Sequence, residues 1–329
     1  MNKIINSATT PSVTIGITVY NAESTIEEAV NSALSQSLGA IEIIVVDDLS
    51  TDKSISNIDY LKNNYKKIRV IKNSKNLGVA ACRNIIIKEA AGEFIAFFDD
   101  DDISLPERLA EQYERINKYQ HDYADVSSVI CHSARLQKFK GSSQKYIPTM
   151  GVKRNKIAPQ GLKVAERILY GKPLADGFGS CASCSQMGKT SDYRKLGGFD
   201  ESLRRSEDTE YNIRFALNGG HFVGISKPLV IQTMTLTSDK NLQTELALTL
   251  QYMKKHKDFI NERDSYRFCQ QWLQIKYLFL LGQYRHFFIT LLSGFLNNPI
   301  FTLKRILWSL PSLKQNYQFK KFHAQNVEE

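Results

Sequence analysis

Apolar residues follow two rhythms along the first part of the chain. Short β-branched runs at Val13 to Val19, Ile41 to Val46, Ile68 to Ile71 and Phe94 to Phe98 are each bounded by turn residues or charge, as strands buried on both faces would be. Between them, Ser24 to Ser35, Lys53 to Asn63 and Val79 to Ala91 carry apolar positions at helical spacing, and Pro106 to Lys118 follows the fourth run. This alternation predicts right-handed βαβ units around a parallel sheet. Ligands of such sheets sit beyond the carboxyl ends of the strands. The first run ends in Thr18, Val19, Tyr20 and Asn21, the second in Asp47 and Asp48, and the fourth in Asp99 to Asp102, so all three polar clusters fall on one edge.

Farther along, the pattern changes. Ser133 to Gly161 is polar, basic and irregular, and reads as a flexible insert suited to an acceptor-side lid. A helix is expected from Thr209 to Asn218, stopped by Gly219 and Gly220. After Lys240 the spacing is helical, with Leu246, Leu250 and Met253 on one face. Two apolar stretches follow, Trp272 to Leu281 and Phe287 to Leu296, both short of the ~20 residues that cross a bilayer. A third, Ile300 to Leu313, mixes Phe301, Ile306, Leu307 and Trp308 with Lys304 and Arg305. These helices suit either a membrane surface or a cap packed on the preceding domain. The division expected is residues 1–240 as an α/β domain and 241–329 as a helical, basic, amphipathic region.

Charge sharpens that division. Residues 1–264 hold 35 basic and 32 acidic groups, whereas Ser265 to Val327 has eight cations and no Asp or Glu. Most of the formal surplus of +9 therefore belongs to the C-terminal region and points to an anionic surface, nucleic acid or lipid. Five cysteines without framework spacing fit a reducing compartment, and Cys181 and Cys184 lack the second pair or His of a zinc site. The opening MNKIINSATTPSVTIG has no apolar stretch of signal-peptide length, so a cytoplasmic location is expected.

Four consecutive carboxylates after an apolar strand repel one another, which raises the cost of keeping them ionised. They are either a solvated acidic turn or oxygen ligands for a hard divalent cation carrying phosphate oxygens. Three ordered segments resolve the choice. VTIGITVYNAESTIEEAVNSALSQSLGAIEIIVVDDLSTDKS, NLGVAACRNIIIKEAAGEFIAFFDDDDISLPERL and GGFDESLRRSEDTEYNIRFALNGG resemble family 2 glycosyltransferases over most of residues 12–235.

That resemblance implies a GT-A fold, in which a Rossmann-like mixed sheet is flanked by helices, here with a C-terminal helical extension. It implies a metal-dependent transfer, with inversion, from a nucleoside-diphosphate sugar, a UDP-sugar, to a hydroxyl of a glycan or lipid-linked acceptor. By the same likeness Thr18 and Tyr20 flank the base, Tyr20 by stacking, and Asp48 accepts from a ring N–H while Asp47 orients its loop. Arg83 lies near the nucleotide or its diphosphate. Asp99 and Asp101 match the D-x-D acids that hold Mn²⁺ or Mg²⁺, Asp101 foremost, and Asp100 serves the ribose hydroxyls. Asp208 is the base that takes the acceptor proton, with Glu207 as the alternative; without the likeness both read as helix N-terminal acids. Relatives often carry a His near the diphosphate where this chain has VIQTMTLTSDK, leaving Thr235, Thr237, Ser238 or Lys240 for that place. Gly177 to Met187 is expected to line the sugar or acceptor pocket.

Two other classes compete. A nucleotidyltransferase would present a Gly-rich phosphate loop after the first strand, and TVYNAESTIEE has no glycine. A non-enzymatic membrane or nucleic-acid binder using the basic tail leaves the acids on the sheet edge unexplained. Assembly of a surface polysaccharide such as capsule, O-antigen or lipopolysaccharide at the inner face of a membrane follows as the expectation, with no nucleic-acid partner.

Overall fold

The computed structural model describes residues 12–123, 125–126, 128–138, 144–234 and 242–310. The chain forms two compact units, Met1–Val164 with Leu174–Met234, and Ala165–Pro173 with Thr235–Glu329.

The first unit begins with the expected alternation: β1 (Val13–Val19), α1 (Ile26–Leu34), β2 (Ile41–Asp47), α2 (Ser54–Asn64), β3 (Ile68–Lys72), α3 (Val79–Glu89) and β4 (Phe94–Asp99). Val13, Ile15, Ile17, Ile43, Val45, Phe94 and Ala96 are fully buried, as strands covered by helices on both sides require. Register fixes the edge. Val19 of β1 lies opposite Asp47 of β2, and Thr18 lies opposite Asp99 of β4, so these parallel strands end at one level.

The remaining elements are β5 (Ile103–Ser104), α4 (Arg108–Asp122), β6 (Val129–Lys138), β7 (Lys145–Ile147), α5 (Gly161–Tyr170), β8 (Gln186–Lys189), α6 (Thr190–Lys195), α7 (Glu207–Leu217) and β9 (His221–Thr233). They extend the sheet to the order β3-β2-β1-β4-β8-β6-β9-β5, with β7 paired to β6. β8 runs antiparallel to both β4 and β6, so the sheet is mixed. The expectation of a flexible insert from Ser133 to Gly161 is corrected here, because that span holds the second half of β6 and all of β7. Its polar residues are compatible with a strand because Ser133 and Arg135 are buried and Arg135 has partners across the sheet. Gly151 is needed there: its φ is +76°, and a Cβ would overlap the Phe222 carbonyl.

A polar row on α4 binds the two halves. Arg108, Gln112 and Arg115 are buried on one helix face. Arg108 donates to Ser104 Oγ at 2.8 Å and to the Phe97 carbonyl at 3.0 Å, with its guanidinium 4.3 Å from the Phe98 ring centroid. Gln112 Nε2 donates to the carbonyls of Cys131 and Ser185, both at 2.9 Å. Burial pulls the Arg108 guanidinium down to about 10, partly offset by Cys184, Asp102 and Asp99.

The second unit contains α8 (Leu242–Lys255), α9 (Lys257–Arg263), α10 (Tyr266–Leu280), α11 (Tyr284–Asn297) and α12 (Pro299–Ser309). Local signals set its ends. Ser265 caps α10 by accepting from Phe268 N at 3.3 Å, Gly282 takes φ +73° just after it, and Pro299 opens α12. Arg305 of α12 is buried, pairs with Asp264 at 2.9 Å, donates to the Tyr170 carbonyl, and lies 5.0 Å from the ring centroids of Tyr170 and Trp308. No described helix is long and apolar enough to cross a membrane.

Arg108→Ala leaves the Phe97 carbonyl without this donor and opens a void beneath β4. It is expected to lower unfolding free energy by about 3 kcal/mol or more in urea titrations. An unchanged midpoint would show that the row is dispensable.

Candidate active site

The ends of β1 and β2 are laced together before any ligand is considered. Asn21, at φ 51°, donates from its backbone to Ser50 Oγ at 3.0 Å and accepts from Thr51 N at 2.8 Å. Asp47 Oδ1 accepts from Ser50 N at 3.1 Å. Leu49 has φ 67° and Ser206, just before α7, has φ 63°, so three of the four described non-glycine residues with positive φ flank this edge. Beside them Tyr20 is 52% exposed, which leaves its ring face open to stacking, and Thr18 is half-buried.

Asp48 is a buried strut. Its carboxylate accepts from Leu77 N and Gly78 N, both at 2.8 Å, and from Asn73 Nδ2 at 2.9 Å, which ties β2 to the start of α3. Burial pushes this carboxyl up, but the hydrogen bonds from Leu77, Asn73 and Gly78 outweigh it and hold the group below its ordinary value.

Arg83, one turn into that helix, is buried between two distant carboxylates. One arm meets Glu207 Oε1 of α7, 124 residues away, and the other reaches Asp99 Oδ1 of β4 at 3.1 Å. Its guanidinium also lies 5.7 Å and 5.6 Å from the ring centroids of Phe97 and Phe199. Burial opposes the charge on Arg83, but Glu207, Asp99 and Asp208 overcome it and raise its pKa above the ordinary arginine value. The ion pair thus brings the acids of β4 and the first turn of α7 into one cluster.

Within that cluster the two acids of α7 differ. Glu207 is buried against Arg83. Asp208 is half-buried, with Oδ2 accepting from Ser183 N at 3.1 Å and Oδ1 from Thr209 N at 2.6 Å. Ser183 belongs to a buried 3₁₀ turn, Ser183–Ser185, inside the segment expected to line the pocket.

The four acids after β4 separate as well. Asp100 Oδ2 accepts from Tyr20 N at 3.2 Å. Asp102 is buried, and its Oδ1 accepts from Thr233 N at 3.1 Å while Oδ2 is a buried acceptor without a hydrogen-bond partner among the described residues. One ligand atom each from Asp99, Asp102 and Cys184 lie within 4.8 Å of one another. Cys184 Sγ accepts from Arg135 at 3.2 Å, and burial raises its thiol, which leaves a neutral sulfur and two carboxylates at this spot. Four acids, Asp99, Asp102, Glu207 and Asp208, act on Arg83, Arg108 and Arg135, with Asp100 and Asp101 next in the chain, so the neighbourhood is short of positive charge. A hard divalent cation suits both the surplus and the bare Asp102 oxygen. Asp101, expected to be the foremost metal ligand, is half-buried and lies outside the converging set of three.

Sequence reasoning counted Asp102 within the acid cluster but gave it no role of its own, and it passed over Arg135 and Gln232, which accepts from Arg135 at 3.0 Å. Asp102 carried the same signal as its three neighbours, whereas Arg135 and Gln232 become partners only through the pairing of β6 with β9. Thr235, Thr237, Ser238 and Lys240 lie outside the described residues.

Burial, the charge of Asp101 and that of Asp99 push Asp100 up to about 7, against the hydrogen bond from Tyr20 N. With its folded pKa above the ordinary 3.8, the native state holds this proton more tightly, so its contribution to stability is present at low pH and is lost as pH rises from 3.8 to about 7. Melting temperatures measured without divalent ions across that window are expected to fall with pH and to fall less steeply for Asp100→Asn. Identical slopes would remove Asp100 as the source.

The model of the family described as Glycosyl transferase family 2 matches residues 14–183, more than half of the chain. A provisionally assigned glycosyltransferase, EpsE of Bacillus subtilis, is 31% identical over 212 residues, 64% of this chain and 68% of that one. The UDP-Glc:alpha-D-GlcNAc-diphosphoundecaprenol beta-1,3-glucosyltransferase WfaP of Escherichia coli is 42% identical over 100 residues, but these span 30% of this chain and only 39% of WfaP. Among solved structures, residues 1–349 of S. aureus TarS in complex with UDP-GlcNAc superpose with a TM-score of 0.57 at 21% identity, covering 86% of this chain and 75% of that one. The mannosyltransferase PcManGT of Pyrobaculum calidifontis, in complex with GDP-Man and Mn2+, gives 0.54 at 18% identity over 95% and 84%. These likenesses show the GT-A fold. The chain belongs to glycosyl transferase family 2 and is a glycosyltransferase.

Proposed function

We propose that this enzyme moves a sugar from a UDP-sugar to a hydroxyl of a glycan or lipid-linked acceptor, with inversion, in the assembly of a surface polysaccharide at the cytoplasmic face of a membrane. One observation carries the reading. Arg83 joins Asp99, at the end of β4, to Glu207, beside Asp208, so a donor-side and an acceptor-side carboxylate meet in one place although the chain separates them by more than a hundred residues. UDP-GlcNAc bound to TarS and GDP-Man with Mn2+ bound to PcManGT support a nucleotide-sugar donor. The diphosphoundecaprenol acceptor in the name of WfaP supports the lipid-linked one.

In this reading Tyr20 stacks on the base, Thr18 flanks it, Asp48 accepts from its ring N–H, and Asp100 holds the ribose. Asp99 and Asp102, whose oxygens converge, would hold Mn²⁺ or Mg²⁺ together with Asp101, and the bound ion would supply Lewis-acid neutralisation of the departing diphosphate. Arg83 does not need to leave the acids to contribute, since its charge keeps Asp99 and Glu207 in place for the donor. Asp208 takes the acceptor proton, because Glu207 is committed to Arg83 whereas Asp208 is half-buried and accepts from the Ser183 and Thr209 amides and the Thr209 hydroxyl. The Ser183 and Thr209 amides orient that carboxyl group, as a positioned base requires.

Asp208→Asn is expected to lower transfer by about a thousandfold, within the usual range for loss of a general base, with little change in UDP affinity. Release of UDP from a panel of UDP-sugars, followed alongside calorimetric UDP binding with Mn²⁺, checks both halves. Full transfer by the variant would remove Asp208 from the role.

A further inference from the structure

Two helices of the second unit leave most of their apolar side chains uncovered. On α11, Phe288, Ile289, Leu292 and Leu296 follow one another at spacings of one, three and four and are all exposed, Leu296 to 77%. α12 continues the pattern, with Ile300, Leu303 and Leu307 exposed at spacings of three and four. Asn298 alone separates the two helices, and Gly294 and Thr302 are buried where they meet. A Cβ on Gly294 would stand 3.2 Å from Thr302 Oγ1, so α11 and α12 form one tightly packed hairpin. Scattered exposed apolar residues are ordinary, but a run of them along both arms of a hairpin marks a surface that is covered in use.

Charge within this surface has one sign. Arg285 stands one turn before Phe288 and Ile289, and Lys304 lies between Leu303 and Leu307; both are exposed. No Asp or Glu occurs from Ser265 to Val327, so no acid of α10, α11 or α12 offsets them.

That charge selects the occupant. Two copies of the chain meeting through this face about a twofold axis would bring Arg285 and Lys304 against the same cations, with no acid in the face to offset them. The sequence after α12 adds Lys314, Lys320 and Lys321 before its first acid, so it brings more of the same sign. A bilayer bearing anionic lipid answers both features. Acyl chains take the apolar side chains, while the long stems of arginine and lysine let their charges reach lipid phosphates.

We propose that the α11–α12 hairpin docks on an anionic membrane surface, with Phe288, Ile289, Leu292, Leu303 and Leu307 among the upper acyl chains and Arg285 and Lys304 at the phosphates. The inference rests on the membrane location proposed above, and it names the face that docks and the lipid charge that the face requires.

Full-length protein is sedimented with vesicles of phosphatidylcholine alone and of phosphatidylcholine mixed with phosphatidylglycerol. Binding to the mixed vesicles is expected to be about tenfold tighter or more, and Arg285→Gln with Lys304→Gln should narrow that difference. Leu292→Glu with Leu303→Glu should weaken binding to the mixed vesicles by about tenfold or more. Ile157→Glu, at an equally exposed apolar position of the first unit, should leave binding unchanged. Unchanged melting temperatures are expected for all these surface variants. Equal binding of the wild type to both kinds of vesicle overturns the anionic lipid. A wild-type dimer that Leu292→Glu with Leu303→Glu dissociates gives the face to a second copy and overturns the bilayer. Sedimentation that survives these two substitutions overturns the hairpin as the docking face and leaves the membrane location standing. No sedimentation of the wild type overturns both, and calorimetric UDP binding with Mn²⁺ on the same samples reports separately on the donor reading.

Discussion

A single buried guanidinium, that of Arg83, holds the acids of the candidate active site together. Removing Arg83, Glu207 and Asp99 from water is costly, and the cost is met only because each charge finds its partner at contact distance. If the arginine were absent, two carboxylates would be left in a crowded acidic pocket. The pairing therefore does more than place α7 near β4: it makes separation of the two elements expensive, so that the acids at the end of β4 and in the first turn of α7 stay together.

That pairing could not be read from spacing, although much around it could. The four apolar runs announced β1 to β4 because strands buried on both faces leave no room for polar residues, and the structure moves their ends by one residue or less. β6 left no such mark. Its inner positions include His132, Ser133 and Arg135, which are buried yet polar, and His132 and Arg135 are satisfied only by Gln186, Ser180 and Gln232 on other segments. A sequence shows what a residue is but not who will satisfy it. The acids were conspicuous as a group, and the likeness to a family sorted them, but the inward turn of Asp102 depends on Thr233, which lies 131 residues away.

The second unit reverses the balance between pattern and contact. Its helical character was plain from periodicity, and the structure adds the ends, which Ser265, Gly282 and Pro299 mark. What periodicity left open was which apolar positions pack inward. α10 buries Phe268, Ile275, Tyr277 and Leu280, whereas α11 buries only Gly294 among its described residues, even though it is the more apolar of the two by eye. An apolar helix with so little covered is not accounted for by packing among the described residues.

The strut formed by Asp48 has an implication for how the enzyme would evolve. The residue expected to read the base also fastens the start of α3, and α3 carries Arg83. Selectivity for the nucleotide and the integrity of the acid cluster are thereby mounted on the same short helix. A lineage that exchanged one base for another by altering Asp48 would loosen the distant arginine at the same moment, so drift in donor choice should be confined to positions such as Tyr20, whose ring is exposed and anchors nothing behind it.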